Sequence, residues 1–368
     1  MDDQYYKENF DNQIVEQGEI PPFLLSGAMA TTSDGNLLLG WGKVRSSAFC
    51  ENNQDRSTFY FSDYFFKEKA PWKVFEFSQI CTMEKMMNWL NALTWKNKER
   101  LVRNWCLTNM ELYHQAFSEL KDNLLGIKLK KAVPYLFAKA QSHYTYYERC
   151  LSFRSLLNYA MKYPVFLYGY WDANKGILGA TPETLFSYRD SQLDTHAIAG
   201  TCKIEKDQDL FLNQKLMEEH QIVVQDITER LSGFGKVTVG QLQKFSLKSM
   251  SHLKTPIQLY PSQALNFEKL VRCLHPTPAL GAYPRDLGWK WLESYQKKIP
   301  RAYFGAPVGY FDPKNNTSQC YVAIRNVQWS KSSMYIGAGG GITADSNIDQ
   351  ELEEINMKIS EIRNVLEI

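Results

Sequence analysis

Apolar and polar positions change rhythm several times along the chain, and each rhythm predicts a different kind of element. Residues 22 to 80 read as short apolar runs broken by turns: 23–29, then Asp34-Gly35-Asn36 before 37–44, then the aromatic run 58–66. These predict antiparallel strands. From about 80 to 159 the apolar spacings lengthen amid Lys, Glu, Leu and Met with few glycines, which predicts mainly helix, broken near Pro134. A meander of hairpins follows over 165–171, 177–180, 185–188 and 193–198, turning at Asp172-Ala173-Asn174-Lys175-Gly176 and at Arg189-Asp190-Ser191-Gln192. The remainder predicts a helix over 211–231, strand over 236–253, short helices over 266–273 and 286–297, strands at 308–311, 320–327 and 334–338, and a last helix. Strands and helices come in blocks without βαβ alternation, so the expected fold class is α+β rather than doubly wound.

No repeat, low-complexity tract or linker divides the 368 residues, which favours one compound domain over 1–368. Within it, 1–120 is β-rich and then helical, and 121–368 carries the chemistry. Charged residues are 22% and hydrophobic ones 44%, a balance that excludes disordered and fibrous classes. A formal charge of +2 with no basic patch gives no reason to expect a nucleic-acid partner. The longest apolar runs, 20–25 and 165–170, fall far short of the roughly 20 residues of a membrane helix. Met1-Asp2-Asp3-Gln4 is followed by no apolar stretch, so a cytoplasmic location is expected. Seven scattered cysteines without a Cys-x-x-Cys pair predict reduced thiols and no zinc site.

Carboxylates then appear where apolar residues are expected. On the helix from Phe211, Glu219 interrupts a stripe of Leu212, Leu216, Val223 and Ile227. A buried carboxylate takes up a proton or acquires a cation, unless it reaches solvent from an edge. The last helix has the stripe Leu352, Ile355, Ile359, Ile362 and Leu366, flanked by Glu351, Glu354 and Lys358. Glu354 and Lys358 also have the spacing of a surface ion pair. Ser346 and Asp349 resemble a capping box that would start this helix directly after Gly337-Ala338-Gly339-Gly340-Gly341, a turn able to offer backbone N–H groups to an anion. A third site is Gly179-Ala180-Thr181-Pro182-Glu183, where a proline and an acid interrupt the meander one hairpin before Ala199-Gly200-Thr201.

These segments together resemble the chorismate-utilising enzymes: isochorismate synthase, anthranilate synthase component I, aminodeoxychorismate synthase component I and salicylate synthase. Gly179 to Glu183 resembles the family's G-A-S-P-E, Ala197-Ile198-Ala199-Gly200-Thr201 its P-[IL]-A-G-T, and Glu219-His220 its helical E-H. Leu274-His275-Pro276-Thr277-Pro278-Ala279-Leu280, Tyr303-Phe304-Gly305-Ala306-Pro307-Val308-Gly309-Tyr310, Val322-Ala323-Ile324-Arg325, Gly339-Gly340-Gly341-Ile342 and Glu351-Leu352-Glu353-Glu354 to Lys358 follow in order. The resemblance covers the chain from about Lys131 onward. Within the family, Ala199 stands where aminodeoxychorismate synthases carry a nucleophilic lysine, and Lys131-Ala132-Val133 resembles the segment whose lysine acts as base toward water. Pro134, Ala197 in place of proline, and Lys130 beside Lys131 depart from the pattern.

The resemblance implies a fold of mainly antiparallel sheets packed face to face with helices outside, and Mg²⁺-dependent conversion of chorismate to isochorismate. Lys131, desolvated by burial, would take a proton from water, Glu183 would protonate the departing hydroxyl, and His252 would lie near it. Glu219, Glu351 and Glu354 would serve the Mg²⁺. Ala199, Gly200, Thr201, Ala279, Leu280, Phe304, Arg325, Gly339, Gly340, Gly341 and Lys358 would surround the substrate and its two carboxylates. No glutaminase subunit is expected, and the oligomeric state and the pathway served stay open. The alternatives are salicylate synthase, anthranilate synthase component I, and a non-catalytic chorismate-binding homologue.

Overall fold

The computed structural model describes residues 20–50, 56–95, 98, 100–124 and 129–368. The opening acidic segment 1–4 lies outside the described residues. Strands run in the order β1 (Gly27–Thr31), β2 (Leu37–Ser47), β3 (Thr58–Phe61), β4 (Trp72–Cys81), β5 (Cys106–Thr108), β6 (Lys131–Ala132), β7 (Tyr135–Ala140), β8 (Phe166–Trp171), β9 (Gly176–Thr181) and β10 (Thr184–Arg189). They continue as β11 (Gln192–Lys203), β12 (Gly235–Val239), β13 (Gln243–Ser246), β14 (Met250–Pro261), β15 (Ala282–Tyr283), β16 (Pro307–Asp312), β17 (Thr317–Val322), β18 (Asn326–Trp329) and β19 (Met334–Gly339). The helices are α1 (Pro22–Leu25), α2 (Met83–Ala92), α3 (Met110–Glu119), α4 (Tyr146–Ala160), α5 (Gln214–Ser232), α6 (Phe267–Leu274), α7 (Arg285–Lys298) and α8 (Ile348–Leu366).

Seventeen strands join into one sheet. Its pairings, all antiparallel, run β5, β7, β19, β18, β9, β8, β1, β2, β4, β3, β16, β17, β10, β11, β14, with β12 and β13 both laid along β14. The sheet doubles back, because side chains from distant strands of that path meet. Phe166 on β8 stacks on Tyr321 of β17 with ring centroids 5.4 Å apart, and Phe61 on β3 lies 5.2 Å from Tyr170 of β8. Alternation along each strand divides residues between this inner core and the outer ones: Leu38 and Tyr168 point inward, whereas Leu37, Leu39 and Leu167 join Phe153, Ile355 and Ile359 under α4 and α8. The other half is covered by α5 and α6 through Val223, Ile227, Leu270 and Val271. The α+β expectation and the face-to-face packing therefore hold. No helix among the described residues is long and apolar enough to cross a membrane.

Several local expectations are corrected. Residues 22–25 form a helical turn started by proline, so the first strand begins only at Gly27. The aromatic run from Thr58 stays in a strand only to Phe61. The region expected to be mainly helical contains β5, β6 and β7; Tyr135–Ala140 is almost wholly buried between neighbours, so its apolar residues run on instead of alternating. The predicted strand over 320–327 is two, β17 and β18, separated at Arg325, whose φ of 56° is incompatible with a strand. The last helix is capped by Asn347, whose side chain accepts from the N–H groups of Asp349 and Gln350, and not by Ser346. Gly339 ends β19, and the glycine run is followed by a loop before the helix begins at Ile348.

Candidate active site

Both halves of the sheet contribute to one cleft, whose empty volume of about 730 Å³, counting the part open to solvent, suits a small molecule. Its acid is Glu183. Pro182 breaks the chain between β9 and β10, and the turn is held by Glu183 N–H donating to Thr181 Oγ1 (3.1 Å) and Val322 N–H donating to the Glu183 carbonyl (3.0 Å). The carboxyl is buried and accepts from Thr277 Oγ1 at 3.3 Å. Burial drives its pKa up to about 7, against the opposing pull of Thr277, Lys131 and Lys358.

A bulge in β11 shapes the facing wall. Ala199 pairs with Leu253 and Thr201 with His252, leaving Gly200 unpaired at φ +71°. A Cβ on Gly200 would lie 2.8 Å from the Leu216 carbonyl oxygen, so glycine is what lets α5 pack here. Thr201 Oγ1 lies 2.9 Å from His252 Nδ1, while the buried Nε2 of His252 has no hydrogen-bond partner. Burial, with the cations Arg325 and Lys358 nearby, holds that imidazole at a pKa of about 3, hence neutral.

Helix α5 begins at Gln214, capped by Asn213, so Leu212 precedes it and is exposed. Its buried stripe is His220, Val223, Val224, Ile227 and Leu231; Glu219 lies on the flank and faces the cleft, a correction to its expected place within the stripe. There Glu219 Oε1 is 2.7 Å from the buried ammonium of Lys131, as an ion pair. Lys131 is held on β6, behind the cleft wall, while Lys130 is exposed. The backbone passes close by: a Cβ on Gly341 would meet Lys131 Cε at 2.5 Å and Glu219 Oε1 at 2.6 Å. On α8, Lys358 is 2.6 Å from Glu354 and donates to the Gly339 carbonyl at 2.8 Å.

Glu351 does not line the cleft. It is buried, accepts from Ser346 Oγ (2.9 Å) and Lys215 Nζ (3.1 Å), and burial together with the charge of Glu354 raises its pKa. The three glutamates expected at a metal are thus each engaged by a lysine, and among the described residues no three His, Cys, Asp or Glu side chains are grouped to hold an ion. Their chemistry nevertheless suits Mg²⁺. The donors are all carboxylate oxygens, Glu351 and Glu354 repel one another, and Glu351 Oε2 and Glu219 Oε1 close on Gly340 and Gly341, where a side chain would fill the space.

Ala199, Gly200, Thr201, Ala279, Leu280, Phe304, Arg325, Gly339, Gly341 and Lys358 all line the cleft, with Glu183, Glu219, His252 and Glu354. Gly340 does not; it faces Glu351. Arg325 lines the cleft, yet its guanidinium is bound by Glu361 of α8. A model of the family described as chorismate binding enzyme matches residues 58–367.

The chain belongs to the chorismate-binding enzymes. It is 33% identical over 205 residues to a salicylate biosynthesis isochorismate synthase of Pseudomonas aeruginosa, covering 52% of this chain and 42% of that protein. It is 30% identical over 210 residues to isochorismate synthase MenF of Escherichia coli, covering 54% and 47%. The chain thus spans under half the length of these curated relatives. The solved structure of Escherichia coli MenF, described as the menaquinone-specific isochorismate synthase, matches its fold with a TM-score of 0.79 over 97% of this chain and 91% of that one, at 18% identity. Anthranilate synthase component I of Streptococcus pneumoniae does so with a TM-score of 0.69 over 95% and 94%, at 15% identity.

As a chorismate-binding enzyme, the chain also brings to this region residues that sequence reasoning did not assign to the site. Pro182, Ile198, Ile324, Gly337, Ala338 and Ile362 complete the wall, and Lys215 and Ser346 hold Glu351. These wall residues lie within the quoted motifs or, for Ile362, on the apolar stripe of the last helix, and were findable there. Lys215 carried no signal, because only the fold brings it to Glu351, 136 residues away in the chain.

Proposed function

We propose that this chain isomerises chorismate to isochorismate. The observation that carries the reading is Glu183: a buried carboxyl that burial keeps protonated up to about pH 7, on a fixed turn in a cleft that also holds Lys358 and, behind Glu219, Lys131. Leaving Glu219, the Lys131 ammonium gives its proton to solvent, and the neutral amine then takes a proton from water as the hydroxide forms a bond to ring C2. The ring double bonds shift, the C4–O bond breaks, and Glu183 gives its proton to the hydroxyl leaving as water. Lys131 and Glu183 then exchange the proton back through solvent, so the net change is isomerisation. The neutral imidazole of His252, fixed by Thr201, hydrogen-bonds the departing hydroxyl without competing for its proton. Lys358, Arg325 and backbone N–H groups near Gly200 and Gly339 orient the carboxylates. Glu219 and Glu354, with Glu351 beside them, would hold Mg²⁺, which when bound would neutralise charge at a substrate carboxylate.

Chromatography of chorismate incubated with the protein and Mg²⁺ tests this: isochorismate is expected, lost in excess chelator and restored by Mg²⁺. Pyruvate as a product, or an aminated product dependent on ammonia, would overturn the assignment, and full turnover in chelator would overturn the metal.

Ala199 gives a second test. Its methyl lies in the cleft wall at the β11 bulge, where a long side chain would occupy the approach to C2. Ala199→Lys is expected to lower isochorismate formation about 100-fold or more and to trap chorismate as a covalent adduct visible by mass spectrometry. Wild-type turnover in that variant would place Ala199 away from the reacting carbon.

A further inference from the structure

The charges facing the cleft are matched in pairs. Glu219 is met by Lys131, Glu354 by Lys358, and Glu361 by Arg325. With Glu183 holding its proton, and apart from a metal ion, those side-chain pairs leave no spare positive charge for a substrate bearing two carboxylates. One cation next to it is unmatched. Arg301 is fully buried, and both of its terminal guanidinium nitrogens lack hydrogen-bond partners; among the described residues no carboxylate pairs with it. It sits instead among aromatic rings, 3.5 Å from the centroid of Tyr64, 4.4 Å from that of Tyr135 and 5.5 Å from that of Phe304. A guanidinium keeps its charge in proteins, and ring quadrupoles compensate only part of the cost of burying it.

Its position is one side chain behind the cleft. Phe304 and Leu280 form part of the wall, and the Nε of Arg301 donates to the Phe304 carbonyl at 3.0 Å. A Cβ on Gly305 would meet Arg301 Nη2 at 2.9 Å and Leu280 Cδ1 at 3.0 Å, so the guanidinium and the wall side chain flank the same point. Tyr64, whose ring covers the guanidinium, donates its hydroxyl to the Leu280 carbonyl at 2.9 Å. From these we infer that Arg301 is a positioning residue for the substrate: without touching it, its uncompensated charge makes the Leu280–Phe304 side of the cleft attractive to a dianion, and the incoming carboxylates are its counter-charge. The inference rests on the chorismate reading above.

The test is a calorimetric titration of chorismate into the full chain with Mg²⁺, alongside KM and kcat, for Arg301→Met, Arg301→Gln and Arg301→Lys. Removal of one buried charge acting through low-dielectric surroundings is expected to weaken chorismate binding and raise KM about tenfold in both neutral variants, with kcat within about twofold. Arg301→Lys, which keeps the charge and loses the fork, is expected to stay within about threefold of the parent. Unchanged affinity in the neutral variants overturns the inference, and so does a lysine variant as weak as the methionine one, since shape and not charge would then be at issue. If one neutral variant fails to fold, the other carries the comparison. A parent protein that binds no chorismate overturns the functional reading itself, which separates that failure from this one.

Discussion

Glu183→Gln is expected to lower kcat about 1,000-fold or more while making the protein more stable in mild alkali. The amide preserves the size of the carboxyl and can still accept from Thr277, so the fold is left intact and only the transferable proton is lost. The stability effect has a definite sign. The carboxyl's ordinary value of 4.5 is raised to about 7 in the folded chain, so below pH 4.5 both folded and unfolded forms hold the proton and stability is complete. Between 4.5 and 7 only the folded form holds it, and stability falls as pH rises, by about 3 kcal/mol in total once pH passes the folded value. The variant lacks this loss, so urea denaturation at pH 8 is expected to give it up to about 3 kcal/mol over the parent, with parity near pH 4.5. In the parent, activity that requires protonated Glu183 declines as pH rises through about 7. A Gln variant that retained turnover, or that was less stable than the parent at pH 8, would remove Glu183 from the role of acid.

Lys131→Ala is expected to reduce kcat about 1,000-fold or more, whereas Lys130→Ala stays within about twofold. The two lysines are adjacent in sequence and opposite in environment: Lys131 is fully buried against Glu219 and Gly341, and Lys130 is exposed. Added methylamine is expected to restore part of the rate to Lys131→Ala, because the truncation opens space for a small amine beside Glu219. Rescue separates a lost proton acceptor from a collapsed wall. The reverse pattern, loss on Lys130→Ala alone, would reassign the base.

Only the family resemblance favoured Lys131 over Lys130 in the sequence, since a two-residue strand such as Lys131–Ala132 has no periodicity to say which side chain points inward. The cleft itself was largely legible, because its walls come from short segments whose residue types are unusual for their place: Pro182 and Glu183 inside a meander, Gly200 in a long strand, glycines at the end of β19. Where reasoning from pattern failed, tertiary burial had changed the pattern. Tyr135–Ala140 is covered on both faces and so loses the alternation of a strand, and Glu219 appeared to interrupt the buried stripe of α5 because Leu212 was counted into a helix it precedes. The break at Arg325 carried no signal either, for nothing in its side chain marks a residue destined for positive φ. Nor could spacing reveal that each carboxylate meets a lysine from another part of the chain, as Glu351 meets Lys215.

The route of the sheet also dictates a timetable for the nascent chain. β3, made early and carrying none of the cleft residues, lies between β4 and β16, so its second edge stays open until the residues around Val308 have left the ribosome. β7 likewise waits for β19. Contacts so distant along the chain slow folding and leave strand edges available to other molecules meanwhile. The burden this protein places on chaperones during synthesis is therefore set by β16 and β19, the late-arriving partners, and silent codon changes that slow translation between β4 and β16 would lengthen that exposure without altering a single residue of the cleft.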